Sequence, residues 1–155
     1  MRSPLRVAFC AVAVAGLVTS GHAAAATTTT PRSSCAAIRA AARDATAEQV
    51  MFLFIRSGAL NLQPGCAYDL VTSGVRKGHT RASFVAGTAP IVRYRTRRPG
   101  AVTAELYTRV RLPDQVGSWV TLDGPDGPPH TYEIVLRKRQ GRWLVDYWAR
   151  AVGFT

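Results

Sequence analysis

The chain has 155 residues, with 20 Lys+Arg against 9 Asp+Glu, a formal net charge of +11 and a pI of about 10.8. Hydrophobic residues make up 47% and charged residues 19%, so the chain is long enough for one buried core and too apolar to be disordered throughout. No heptad run, collagen period, solenoid repeat or set of long apolar spans is visible, which excludes a coiled coil, a fibre, a repeat array and a multi-span membrane protein.

The N-terminal segment reads as an export signal over residues 1–26. Arg2 and Arg6 supply positive charge, residues 7–18 are apolar, and Ala24-Ala25-Ala26 satisfies a small-residue cleavage site. A spanning helix needs about 20 apolar residues, and Thr19, Ser20, Gly21 and His22 interrupt this run. An uncleaved anchor is therefore the less favoured reading. Cys10 follows bulky Phe9 near the start of the apolar run, the wrong place for lipidation. Cleavage would remove two arginines and no acid, so the basic character belongs to the rest of the chain. Residues 27–34 (TTTTPRSS) form a polar tether. The tether and a short helix account for residues 27–45, and the main domain covers 46–152. The protein is expected to be secreted or otherwise extracytoplasmic.

Two cysteines remain beyond the leader, Cys35 and Cys66. An even count in an exported chain favours one disulfide between them, worth about 3–4 kcal/mol in the chain-entropy model. No CxxC, HxxxH or cysteine–histidine cluster is present, so no metal is expected. His79 and His130 stand beside turn residues and read as surface loop positions.

Residues 35–43 (CAAIRAAAR) favour helix. Thr46 and Gln49 form a capping box ahead of a helix carrying Val50, Phe52, Leu53, Phe54 and Ile55, apolar on more than one side and so well buried. Pro64 opens a second helix over residues 66–71, and Gly74 and Gly78 punctuate the stretch after it. Thr80 caps a third helix over 81–86, which Gly87 ends.

From Ile91 the period changes to two. Val92, Tyr94 and Thr96 alternate with Arg93, Arg95 and Arg97, predicting a first strand. In the next run Val102, Ala104, Leu106, Thr108, Val110 and Leu112 share one side, with Tyr107, Arg109 and Arg111 on the other. A third strand is predicted over 118–122, a breaker-rich loop over 123–129, a fourth strand over 131–139, a tight turn at Gln140-Gly141 and a fifth strand over 142–152. Trp143 and Trp148 have opposite parity, so a regular fifth strand would send at most one into the core. Helices followed by consecutive strands with short connections predict an α+β fold, with N-terminal helices packed on a mainly antiparallel sheet.

The run Cys66-Ala67-Tyr68-Asp69-Leu70-Val71, then Gly74-Val75-Arg76-Lys77-Gly78, Phe84-Val85 and Gly87-Thr88-Ala89-Pro90, and the closing GRWLVDYW at 141–148, resemble the nuclear transport factor 2-like superfamily. The narrower resemblance is to small exported proteins of high-GC Gram-positive bacteria. This resemblance implies a strongly curved, cone-like sheet enclosing a cavity. It implies a lining drawn from Phe52, Leu53, Tyr68, Tyr94, Leu106, Ile134 and Trp143 or Trp148. Members include isomerases, dehydratases, cyclases and non-catalytic binding domains, so it specifies fold more than activity.

An acid–base enzyme on such a fold needs a buried carboxylate or histidine with a shifted pKa. The candidates are Asp69 with Tyr68, then Asp146, Tyr94 and Tyr107. Against them stands the expectation that Asp69 and Asp146 pair with nearby arginines, Asp146 with Arg137 or Arg139. No GxSxG, HExxH, phosphate loop or dinucleotide fingerprint appears, and no cofactor is expected. The second signal is a basic face: Arg93, Arg95 and Arg97 on one strand, Arg109 and Arg111 on the next, Arg137 and Arg139 on the fourth. Such a face suits an anionic envelope component or a protein partner, whereas export argues against nucleic acid. Homodimerisation through the sheet is compatible with either role. The reading favoured is a non-catalytic binding or accessory module of the cell envelope or secretome. The alternative is a lyase, isomerase or cyclase acting on an apolar small molecule in the cavity.

Overall fold

The computed structural model describes residues 5–7 and 34–151. The expected leader and tether lie outside the described residues, except that Leu5–Val7 form a short strand and Ser34 caps the first helix.

The helical layer follows the local signals closely. Helix α1 spans Cys35–Ala41. Helix α2 spans Ala47–Phe54 behind the capping box: the Gln49 N–H donates to Thr46 Oγ1, and the Thr46 N–H donates to Gln49 Oε1 at 2.8 Å. Its last turn widens into a π-helix over Ile55–Ala59, where Ser57 Oγ donates back to the Leu53 carbonyl at 2.7 Å. That bond satisfies a hydroxyl buried beneath the sheet. Helix α3 spans Pro64–Ala67, with Pro64 in the first turn, and runs into a 3₁₀ turn at Tyr68–Leu70. Helix α4, Ser73–Arg76, forms where only a glycine-punctuated linker is expected, because Thr72 caps it. Helix α5 spans Arg81–Ala86 and stops at Gly87, whose φ of 81° a glycine adopts without strain. A disulfide joins Cys35 to Cys66 across 31 residues, with the Cα atoms 4.9 Å apart, and so ties α1 to α3.

The strands are β1 (Leu5–Val7), β2 (Thr103–Arg111), β3 (Gln115–Gly124), β4 (Gly127–Arg139) and β5 (Arg142–Arg150). They form one open antiparallel sheet in chain order, so each strand lies beside its sequence neighbour. The Gln140-Gly141 turn has positive φ at both residues (49° and 79°), the geometry of the expected tight hairpin. One sheet face meets the helices. Val102, Ala104, Val120, Leu122, Tyr132, Ile134, Leu136, Val145 and Trp148 pack there against Val50, Phe54 and Leu70. At the centre Trp148 stacks on Tyr132, with ring centroids 4.5 Å apart, and meets Phe54 edge-on at 5.5 Å. Each such pair adds about 1 kcal/mol beyond the area it buries. The fold is therefore α+β, with helices on one face of an antiparallel sheet.

Three expectations need correction. Residues 91–97 are extended but belong to no strand. The Tyr94 N–H donates to the Ala59 carbonyl at 2.9 Å, and Trp148 Nε1 donates to the Val92 carbonyl at 2.7 Å. The alternation that suggests a strand instead sinks Tyr94 into the core and leaves its neighbours partly or fully exposed. The breaker-rich stretch 123–129 is a hairpin, with β3 and β4 running through to a turn at Pro125-Asp126. The parity of two strands also changes along their length. In β5 Val145 lies opposite Leu136 and Tyr147 opposite Val135, so Asp146 is a bulge residue without a cross-strand partner. The bulge resets the alternation. Trp143 (opposite Lys138), Val145 and Trp148 (opposite Ile134) all face the helices, and both tryptophans pack on the core. A second bulge at Arg109 in β2 turns Val110 to the outer face and Arg111 to the helical side.

Candidate functional site

The two carboxylate candidates are both engaged. Asp69 sits on the 3₁₀ turn after α3 with its side chain 12% exposed. Arg81 of α5 donates through Nη2 to Asp69 Oδ1 at 2.7 Å and through Nη1 to the Gly65 carbonyl. Arg39 Nε of α1 lies 3.7 Å from Asp69 Oδ2, an ion pair rather than a hydrogen bond, and that oxygen has no hydrogen-bond partner. The bond to Asp69 also holds the Arg81 guanidinium above its ordinary pKa. Tyr68 packs edge-on against Phe84 and lies beneath the guanidinium groups of Arg76 and Arg81. Asp69 thus joins three helices beside the disulfide, and neither it nor Tyr68 lines either of the two grooves described below.

Asp146 occupies the β5 bulge. Arg137 Nε donates to its Oδ2 at 2.8 Å, and the Thr72 hydroxyl donates to its Oδ1 at 2.9 Å. Val71 pairs with Val145 in a single parallel bridge, which brings Thr72 to this edge of the sheet. The expected partner Arg137 is therefore present, joined by a threonine that the sequence does not reveal.

The seven arginines of the expected basic face are not on one face. Arg109 lies over the Trp119 ring at 4.1 Å on the outer side of the sheet, within 4.0 Å of Glu133. Arg111 turns to the helical side and bonds Glu48 of α2. Burial pushes the Glu48 carboxyl up, but the bond and charge of Arg111 together with hydrogen bonds from the backbone and Thr46 outweigh it, and the net shift is downward. Arg137 is taken by Asp146, while Arg139 is exposed beside the β4–β5 turn.

Arg93, Arg95 and Arg97 lie on the extended segment off the sheet. Arg93 folds back: its Nη2 donates to the Phe84 carbonyl at 2.7 Å, and its guanidinium lies in the space that a side chain at Gly87 would need. Arg95 and Arg97 are exposed, and among the described residues their guanidinium groups have no hydrogen bond or ion pair. These arginines line an open groove of about 630 Å³ together with Leu60, Asn61, Leu62, Tyr94, Thr96, Pro99 and Asp126. The segment is latched at its far end. Asp126, in the β3–β4 turn, accepts from the Thr96 hydroxyl at 2.6 Å and from the backbone N–H groups of Arg97 and Arg98 at 2.7 and 3.3 Å. The Thr96 bond first, and the two amides with the Arg98 charge after it, hold its carboxyl below the usual range.

A smaller groove of about 270 Å³ lies between α4 and β5. Phe54, Val71, Val75, Pro90, Ile91, Val145 and Trp148 form its apolar part, and Lys77, His79, Asp146 and Tyr147 contribute polar groups. His79 therefore lines a groove where the sequence suggests a plain loop position. His130 lies within β4 rather than a loop, its ring edge-on to Tyr94 at 5.5 Å.

Of the expected cavity residues, Tyr94 lines the first groove and Trp148 the second. Ile134 is fully buried, and Phe52, Leu53, Leu106 and Trp143 pack at the margin of the core. Among the described residues no cluster of three His, Cys, Asp or Glu could hold a metal ion, and no helix is long and apolar enough to cross a membrane. No protein-family model matches this chain, and neither the curated proteins nor the solved structures contain a match.

Proposed function

We propose that the protein is an exported, non-catalytic binding module whose ligand is an anionic component of the cell envelope or secretome, bound along the groove of Arg95 and Arg97. The observation that carries this reading is the contrast in charge pairing. Asp69, Asp146, Glu48, Asp126 and Glu133 each have an arginine partner, whereas Arg95 and Arg97 have none among the described residues. Two unpaired guanidinium groups on residues two apart in the chain offer neighbouring forked donors suited to adjacent phosphates or carboxylates of a polyanion. Tyr94 and Leu60 beneath them give the groove a firm floor.

The leader pattern and the Cys35–Cys66 disulfide support export. Helices on one face of an antiparallel sheet support the resemblance to the nuclear transport factor 2-like superfamily. An acid–base role for Asp69 would require it to face an open pocket, and its arginine partners hold it elsewhere.

Binding of inorganic polyphosphate to the full chain, followed by calorimetry at several salt concentrations, tests the proposal. The Arg95→Gln/Arg97→Gln variant is expected to lose most of the affinity, and an Arg139→Gln/Arg142→Gln variant of the same net charge to retain it. Equal losses in both variants would reduce the interaction to net charge and refute a built site.

A further inference from the structure

We propose that the groove between α4 and β5 is a separate binding site, for a small apolar molecule bearing a carboxylate. The floor is made of Phe54, Val71, Val145 and Trp148, all buried in the core, so an occupant rests on a rigid apolar surface. The mouth carries charge of one sign without compensation. Asp146 on the wall is already neutralised by Arg137 and hydrogen-bonded by Thr72. Lys77 and His79 also line the groove, and among the described residues their side chains have no hydrogen bond or ion pair.

Their placement is set by the end of α4. The Lys77 N–H donates to the Gly74 carbonyl at 3.3 Å and the His79 N–H to the Arg76 carbonyl at 2.8 Å. Gly78 turns the chain between them with φ 77°. An apolar floor under an unpaired ammonium and imidazole selects an apolar body with an acidic head, and disfavours an amine. The groove, of about 270 Å³, is of a size for a medium-chain fatty acid rather than a larger lipid.

The probe is octanoate, titrated into the ¹⁵N-labelled full chain, with octylamine as the charge-reversed control. The expected result is saturable shifts at Val71, Val75, Lys77 and Val145 with octanoate, and none of that pattern with octylamine. Lys77→Gln should weaken binding about fivefold, the size of one partly exposed ion pair. Val75→Trp should fill the groove and abolish binding. If that variant does not fold, Lys77→Glu, an exposed change, should exchange the preference to octylamine. Arg95→Gln/Arg97→Gln should leave octanoate binding unchanged, which separates this site from the polyanion groove. Equal response to octanoate and octylamine, shifts scattered over the outer sheet face, or loss of binding in the Arg95/Arg97 variant would each overturn the proposal.

Discussion

Asp69 and the segment 93–97 both gather arginines, and they use them in opposite ways. At Asp69, Arg81 and Arg39 converge on one nearly buried carboxylate and join three helices. Along 93–97, one arginine folds back onto α5 and the next two project from an exposed edge without a partner among the described residues. The chain is basic throughout, yet of these two regions only the second turns its excess charge to solvent along a groove. Net charge therefore does not locate a site; the supply of nearby carboxylates does.

The comparison depends on the extended segment being held in place, and the most disruptive test removes its anchor. Trp148→Ala would delete the stack on Tyr132, the edge contact with Phe54 and the bond to the Val92 carbonyl. A loss of about 3–5 kcal/mol is expected in urea denaturation, with polyphosphate affinity falling in parallel. Removing the disulfide with Cys35→Ser/Cys66→Ser should cost about 2–4 kcal/mol, read as a lower Tm. That change strikes the Asp69 region and should leave the Arg95/Arg97 groove competent in the folded fraction.

Asp69→Asn comes next. It keeps the shape but removes the charge that Arg81 and Arg39 address, and about 2 kcal/mol of stability should go with it. An unchanged denaturation midpoint would show that this cluster is as loosely held as the groove arginines.

The smallest effect belongs to the latch at Asp126. Its carboxyl titrates below the ordinary aspartate value of about 3.9 because the folded state favours the charged form. Its contribution is therefore present above that value and disappears as the pH falls through the lower, folded-state value. The protection factors of the Arg97 and Arg98 amides, corrected for the intrinsic slowing of exchange in acid, should fall as the pH drops below that ordinary value and before the global transition. Asp126→Asn should show fast exchange at pH 5 already.

Much of the helical layer is legible in the sequence, because its signals are local. Thr46 with Gln49, Thr80 with Gly87, and Gln140-Gly141 specify their ends and turns through side chains a few residues away. The features that cannot be read depend on contacts between distant segments. The alternation at 91–97 is that of a strand, but the strand ladder needs a neighbouring strand, and the backbone of this segment is held instead by single bonds to Ala59, Trp148 and Asp126. The bulge at Asp146 carries a bond from Thr72, distant in the chain, beside the expected one from Arg137 on the adjoining strand, and the bulge lets both tryptophans face inward. The basic face is dispersed for the same reason: the bulge at Arg109 sends Arg111 to Glu48 and leaves Arg109 on Trp119. Lys77 and His79 carry no motif, and their groove exists only once α4 docks against β5.

The central claim is that unpaired arginines on the extended segment form the anion-binding surface. Its most direct test is a titration of ¹⁵N-labelled protein with short-chain polyphosphate at physiological salt. The account predicts saturable shifts concentrated at residues 60–62 and 93–98, with the β4–β5 turn at 138–142 unmoved. Shifts of similar size at both places, falling together as salt is raised, would contradict it.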